Sequence, residues 1–262
     1  MPLFNRYGST SCRRVRRSGS GGLSGTIAID FQGPSKLGVG GISAVVAFLL
    51  TWLLVAALGP MSPPVARADE PRPLFDGVAI DGWETVEADR RWWAVSDGMV
   101  VGGSLAEKVP HNTFLATKES FQNFDLSLRI RIRGAGGFVN SGIQIRSVRV
   151  PGSSEMKGYQ VDAGDGWWGK LYDESRRNRV LAEPADPRAV AAAVRPGDWN
   201  DYRIVAEGPR IRSWINGVAA LDYVESDATI PTDGHVAIQV HGDGKTLVEV
   251  KDIAIRPLPP KP

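Results

Sequence analysis

Asn140, Gln144 and Arg146 fall at even spacing in FVNSGIQIRS (Phe138–Ser147), and planar multi-donor groups of this kind suit the hydroxyls of a sugar. Read with a period of two, Val139, Ser141, Ile143 and Ile145 face one way, while Phe138, Asn140, Gly142, Gln144 and Arg146 face the other. KGYQVDAG repeats the arrangement, setting Gln160 and Asp162 against Tyr159, Val161 and Ala163. HVAIQVHG sets Gln239 and His241 against Val236, Ile238 and Val240, and in GKLYDE the spacing of Lys170 and Tyr172 puts them on one face. Trp167 and Trp168 lie among glycines in AGDGWWGKLYDE, where an exposed indole is a platform for a pyranose ring. Each has a plainer reading beside it. His241 can be a solvated strand end, Arg146 can pair with Glu155 or Asp162, Tyr172 can pack on the sheet, and one tryptophan can plug the core.

The elements that must carry these residues are strands. From Leu74 onward, short alternating runs are separated by Gly, Asp, Asn and Pro, which indicates an all-β sandwich or barrel of eleven or twelve strands in a single domain spanning residues 69–262. Asp97-Gly98, Asn216-Gly217 and Asp243-Gly244 read as hairpin dipeptides. Prolines confine the one helix expected, near 187–194, to about two turns. Arg129, Arg131 and Arg133 alternate with core aliphatics and read as solvated surface, while Trp92, Trp93, Trp199 and Trp214 are assigned to core or sheet packing.

The first quarter of the chain differs from the rest. Residues 1–68 hold seven Lys or Arg and one acid, against 31 and 29 in the whole chain, so residues 69–262 are net acidic and no nucleic-acid partner is expected. The uncharged run Ile42–Leu58 follows the basic stretch and precedes Ala66 and Ala68 in an A-x-A arrangement, the order of a secretory signal. An exported, periplasmic or extracellular domain beginning at Asp69 is expected, with membrane contact only through an uncleaved leader. Cys12, the single cysteine, lies in that leader, so cysteine nucleophiles and thiolate metal sites are excluded from the domain.

PLFDGVAIDGW, WWAVSDGMVVGG, FQNFDLSLRIRI, NSGIQIRS, GYQVDAGDGWWGKLYDE, GDWNDYRIVAEG, RIRSWINGV, DGHVAIQVHG and VEVKDIAIRPL together resemble the 3-keto-disaccharide hydrolase domain family, in its order, from about Leu74 to Leu258. The resemblance implies a concanavalin-like jelly-roll sandwich of two antiparallel sheets and an exported bacterial protein acting on sugars oxidised at C3. Where family members commonly read GYE-Q-I-x-D, this chain has GYQVDAGD, so either Asp162 or Asp165 answers to that aspartate.

A ketone at C3 acidifies the hydrogen on C2. The glycosidic bond can then leave by elimination, and water can add back at C1, without the flanking carboxylate pair of an ordinary glycosidase. Such a path needs a base, a stabiliser for the enolate oxygen and an acid for the leaving oxygen. His241 or Asp162 is the candidate base, Arg146 with Lys170 the enolate stabiliser, and Tyr172 or Asp165 the acid. Asn140, Gln144, Gln160 and Gln239 would hold hydroxyls, and Trp167 and Trp168 would stack. A divalent metal is left open, no ligand spacing requiring one. The ketone calls for a sugar 3-dehydrogenase as functional partner. A carbohydrate-binding module on the same scaffold is the alternative. A retaining glucanase ranks last, because no E-x-D-x-E-like run is present.

Overall fold

Aliphatic residues at every second position close a sandwich of two antiparallel sheets over one core. The computed structural model describes residues 70–259, which belong to one compact unit, Pro63–Pro262. The expected leader, its apolar run and its cleavage site lie outside the described residues.

One sheet joins β1 (Arg72–Pro73), β3 (Trp93–Ser96), β4 (Met99–Gly103), β6 (Phe124–Gly137), β11 (Asn200–Glu207), β12 (Arg210–Ile215), β13 (Val218–Val224) and β15 (Gly244–Pro257). The other runs β10 (Val180–Ala182), β9 (Leu171–Glu174), β8 (Met156–Gly164), β7 (Asn140–Arg149), β14 (Gly234–Val240), β5 (Thr113–Phe121) and β2 (Trp83–Glu84). Leu126, Leu128, Ile130 and Ile132 of β6 and Val248 and Val250 of β15 meet Ile143 and Ile145 of β7, Val161 of β8 and Ile238 of β14 in the core. The short helix α1 (Pro187–Ala193) is capped by Asp186, whose side chain accepts from the amides of Arg188 and Ala189.

Asp97-Gly98 and Asn216-Gly217 are tight hairpins with positive φ at both residues. Asp243-Gly244 is not a hairpin, because β14 and β15 belong to different sheets and the chain crosses between them there. A second crossing, Phe138–Val139, carries β6 into β7. The two meet: Gly244 pairs with Gly137, and the amide of His241 donates to the carbonyl of Asn140.

On the outer side of the seven-stranded sheet the polar face is enclosed. The first eight residues of β7 are all buried, those of the polar set included. Phe114, Ala116 and Ala237 join Met156 in a small apolar cluster separate from the core. The end of β7 is tied across the sheet and to the β7–β8 loop, Arg149 donating to Phe114 O and to Ser154 O.

Candidate active site

Register places the polar residues in adjacent columns. Gln144 lies opposite Gln160 and Ala237, and Gly142 opposite Asp162 and Gln239. Gly142 makes the floor: a Cβ there would come 2.5 Å from Gln160 Cγ, so only glycine lets that side chain lie flat across β7. The amides then form a directional chain. Gln144 Nε2 donates to Gln160 Oε1 (3.1 Å), and Gln160 Nε2 donates to Asp162 Oδ1 (2.8 Å) and Gln239 Oε1 (3.1 Å). Gln239 Nε2 donates in turn to Glu174 Oε2 (3.3 Å).

Over this chain opens a cavity of about 140 Å³ lined by Asn112, Phe138, Asn140, Gln160, Asp162, Trp167, Tyr172, Glu174 and His241. Its rim is aromatic. The Phe138 ring stands edge-on to His241 (4.6 Å between centroids) and to Trp167 (6.3 Å), and Trp167 is edge-on to Tyr172 (6.2 Å). The two inter-sheet crossings bring Phe138 and His241 together. Asp162 is steadied from across the core, where Tyr202 of β11 donates its hydroxyl to the Asp162 carbonyl at 2.8 Å.

Burial sets the acid–base character. It pushes the Asp162 carboxyl from its ordinary 3.8 up to about 8; the charge of Glu174 adds to this, and Gln160 and Lys170 oppose it. Asp162 Oδ2 is buried and has no hydrogen-bond partner. Glu174 rises from 4.5 to about 7, through burial and then through the charge of Glu155, itself raised by burial. Burial also raises the Tyr172 hydroxyl, with help from Glu174 and Asp162. His241 Nδ1 lies 2.7 Å from Gly242 O. A carbonyl only accepts, so in the neutral ring Nδ1 carries the proton and Nε2 keeps its lone pair.

Of the residues singled out in the sequence, Asn140, Gln160, Asp162, Trp167, Tyr172 and His241 line the cavity, and Gln144 and Gln239 support it in the amide chain. Arg146 does not belong to it. A bulge shifts the register after Ile145, Arg146 takes φ 48°, and the guanidinium turns away to donate to Gln122 O, Gly208 O and Asn123 Oδ1. Neither Glu155 nor Asp162 is its partner. Lys170 precedes β9, so strand alternation does not put it beside Tyr172; it pairs with Glu183 at 3.1 Å. Asp165, Trp168 and Lys170 line a neighbouring cavity. Asn112, Phe138 and Glu174 were missed, although Glu174 stands two residues after Tyr172 and shares its face by the same alternation. Among the described residues no three His, Cys, Asp or Glu side chains gather closely enough to hold a metal ion.

A family model described as 3-keto-alpha-glucoside-1,2-lyase-like domain matches residues 70–256. The chain belongs to this family. Its aspartate in the cavity is Asp162, while Asp165 faces the neighbouring one. Among solved structures, a candidate glycosyl hydrolase from Parabacteroides distasonis is 20% identical with a TM-score of 0.55, over 73% of this chain and 95% of that one. A Bacillus subtilis protein of unknown function with a galectin-like fold is 11% identical with a TM-score of 0.54, over 73% of this chain and 96% of its own. These two likenesses bear on the fold, a jelly-roll sandwich. No protein of curated function matches the chain.

Proposed function

We propose that the domain cleaves the glycosidic bond of 3-keto glycosides by elimination followed by hydration. The observation that carries this reading is the buried Asp162, whose unpartnered Oδ2 belongs to a carboxyl that stays protonated to about pH 8. A neutral carboxylic acid donates a hydrogen bond, which is what a developing enolate oxygen at C3 requires. This gives Asp162 the role expected of Arg146. His241 Nε2 takes the C2 proton, the C1–O bond breaks, and Glu174 protonates the departing oxygen. In the second half Glu174 takes a proton from water as it adds to C1, and His241 returns its proton to C2. Asn140 and Gln160 hold hydroxyls, while Phe138, Trp167 and Tyr172 supply the apolar wall. Export through residues 42–58 belongs to the same proposal, as does a sugar 3-dehydrogenase that supplies the ketone.

The test is incubation with a 3-keto-disaccharide beside its unoxidised parent. Cleavage of the ketone alone is the expected result. Binding of both sugars with cleavage of neither would instead identify a carbohydrate-binding module, which the aromatic rim also suits.

A further inference from the structure

The residues expected at the sugar site but absent from it, Asp165, Trp168 and Lys170, gather around a second cavity of about 230 Å³ between the β8–β9 hairpin and α1. One contact relates the two cavities. Trp167 lines the first, and Nζ of Lys170, which lines the second, stands 5.2 Å from the Trp167 ring centroid. The hairpin is pressed against the far wall at Gly169, which has φ +78° and where a Cβ would lie 3.3 Å from Pro184 Cγ. Trp168 packs at 6.1 Å on Tyr202, the residue that steadies the Asp162 carbonyl. One hairpin therefore positions the wall of the second cavity and the acid of the first.

The lining joins flat apolar surfaces, Trp168, Pro184 and Pro187, to the hydrogen-bonding groups of Asp165, Lys170 and Glu183. That combination holds a pyranose, with ring faces on the apolar side and hydroxyls on the charged side. We infer that this second cavity receives the leaving-group sugar of a disaccharide whose ketone-bearing ring occupies the first; the inference rests on the reading that a 3-keto glycoside is the substrate.

Ala191 is exposed on α1 and lines the second cavity, so Ala191→Trp fills it without touching the core. Calorimetry and initial rates on the full chain, with a 3-keto-disaccharide against methyl 3-ketoglucoside, test the assignment. Affinity for the disaccharide should fall about tenfold in the variant, while that for the methyl glycoside moves less than about twofold. Equal losses for both ligands, or no loss for either, would overturn the second cavity's role. If the native chain cleaves neither ligand but Ala191→Trp still weakens only the disaccharide, the cavity assignment stands and the proposed reaction falls. If it cleaves both and Ala191→Trp makes no distinction, the reverse holds.

Discussion

A carboxyl used as a hydrogen-bond donor works only while it keeps its proton. The cleavage rate should therefore decline in two steps, above about pH 7 as Glu174 loses the proton it gives to the leaving oxygen and further above about pH 8 as Asp162 ionises. In Asp162→Asn, whose amide donates but does not titrate, the second step should vanish from the kcat profile and the first remain, while the rate at neutral pH falls at least about tenfold. The same group leaves a mark on stability. Its folded pKa is raised from 3.8 to about 8, so the folded chain retains a proton that the unfolded chain releases. The contribution is full below about pH 4 and is lost as the pH climbs to about 8. Relative to native, Asp162→Asn should consequently melt higher at pH 9 than at pH 5 in scanning calorimetry; an unchanged difference would refute the raised value. His241→Ala should lower kcat about a hundredfold or more with little change in KM, as expected for loss of a base and not of a binding contact.

At the scale of the element, β7 carries both the floor of the cavity and a structural anchor. Arg146 satisfies the carbonyls of Gln122, in the crossing from β5 to β6, and Gly208, in the β11–β12 turn of the other sheet. Arg146→Ala leaves both without that donor and should destabilise the domain by about 3 kcal/mol in denaturant titration, with the activity of the folded fraction unchanged. Loss of kcat at full stability would return Arg146 to the site. Alternation made Asn140, Gln144, Gln160, Asp162 and Gln239 legible in the sequence, because a regular ladder preserves parity. It failed at Arg146, where one bulge reverses parity. The trace of that bulge lay in neighbouring strands: Gly158 and Gly234 flank it, and a Cβ at Gly234 would come 2.5 Å from the Arg146 carbonyl carbon. Phe138 could not be placed from its own strand, since its position follows from a crossing between sheets. The strands and the aliphatic core were readable from their period, but which turns are hairpins was not, as Asp243-Gly244 shows.

The whole sandwich is clasped at the edge by an ion network. Arg177 from the β9–β10 turn reaches Glu225 at 2.6 Å, and Tyr159 and Tyr223 donate to the same carboxylate at 2.7 and 3.0 Å. Burial pushes the Glu225 carboxyl up, but Arg177 and the hydrogen bonds outweigh it and hold its pKa well below 4.5. Its contribution is thus present above about pH 4.5 and lost as the pH falls below it. Glu225→Gln should lower stability at pH 7 by about 2 kcal/mol and flatten the acid limb of a pH–Tm curve. A chain of glutamines crosses the outer side of the seven-stranded sheet. Gln160 cannot turn over without setting its oxygen against Asp162 Oδ1 and Gln239 Oε1, so the donors stay aimed at both carboxyls. With Glu174 at about 7, Asp162 at about 8 and the charge of the first raising the second, the cavity behaves as one diprotic acid. Its doubly protonated form, in which Asp162 meets the enolate oxygen and Glu174 holds the proton for the leaving oxygen, prevails below about pH 7, so that two acids stand side by side before a substrate arrives.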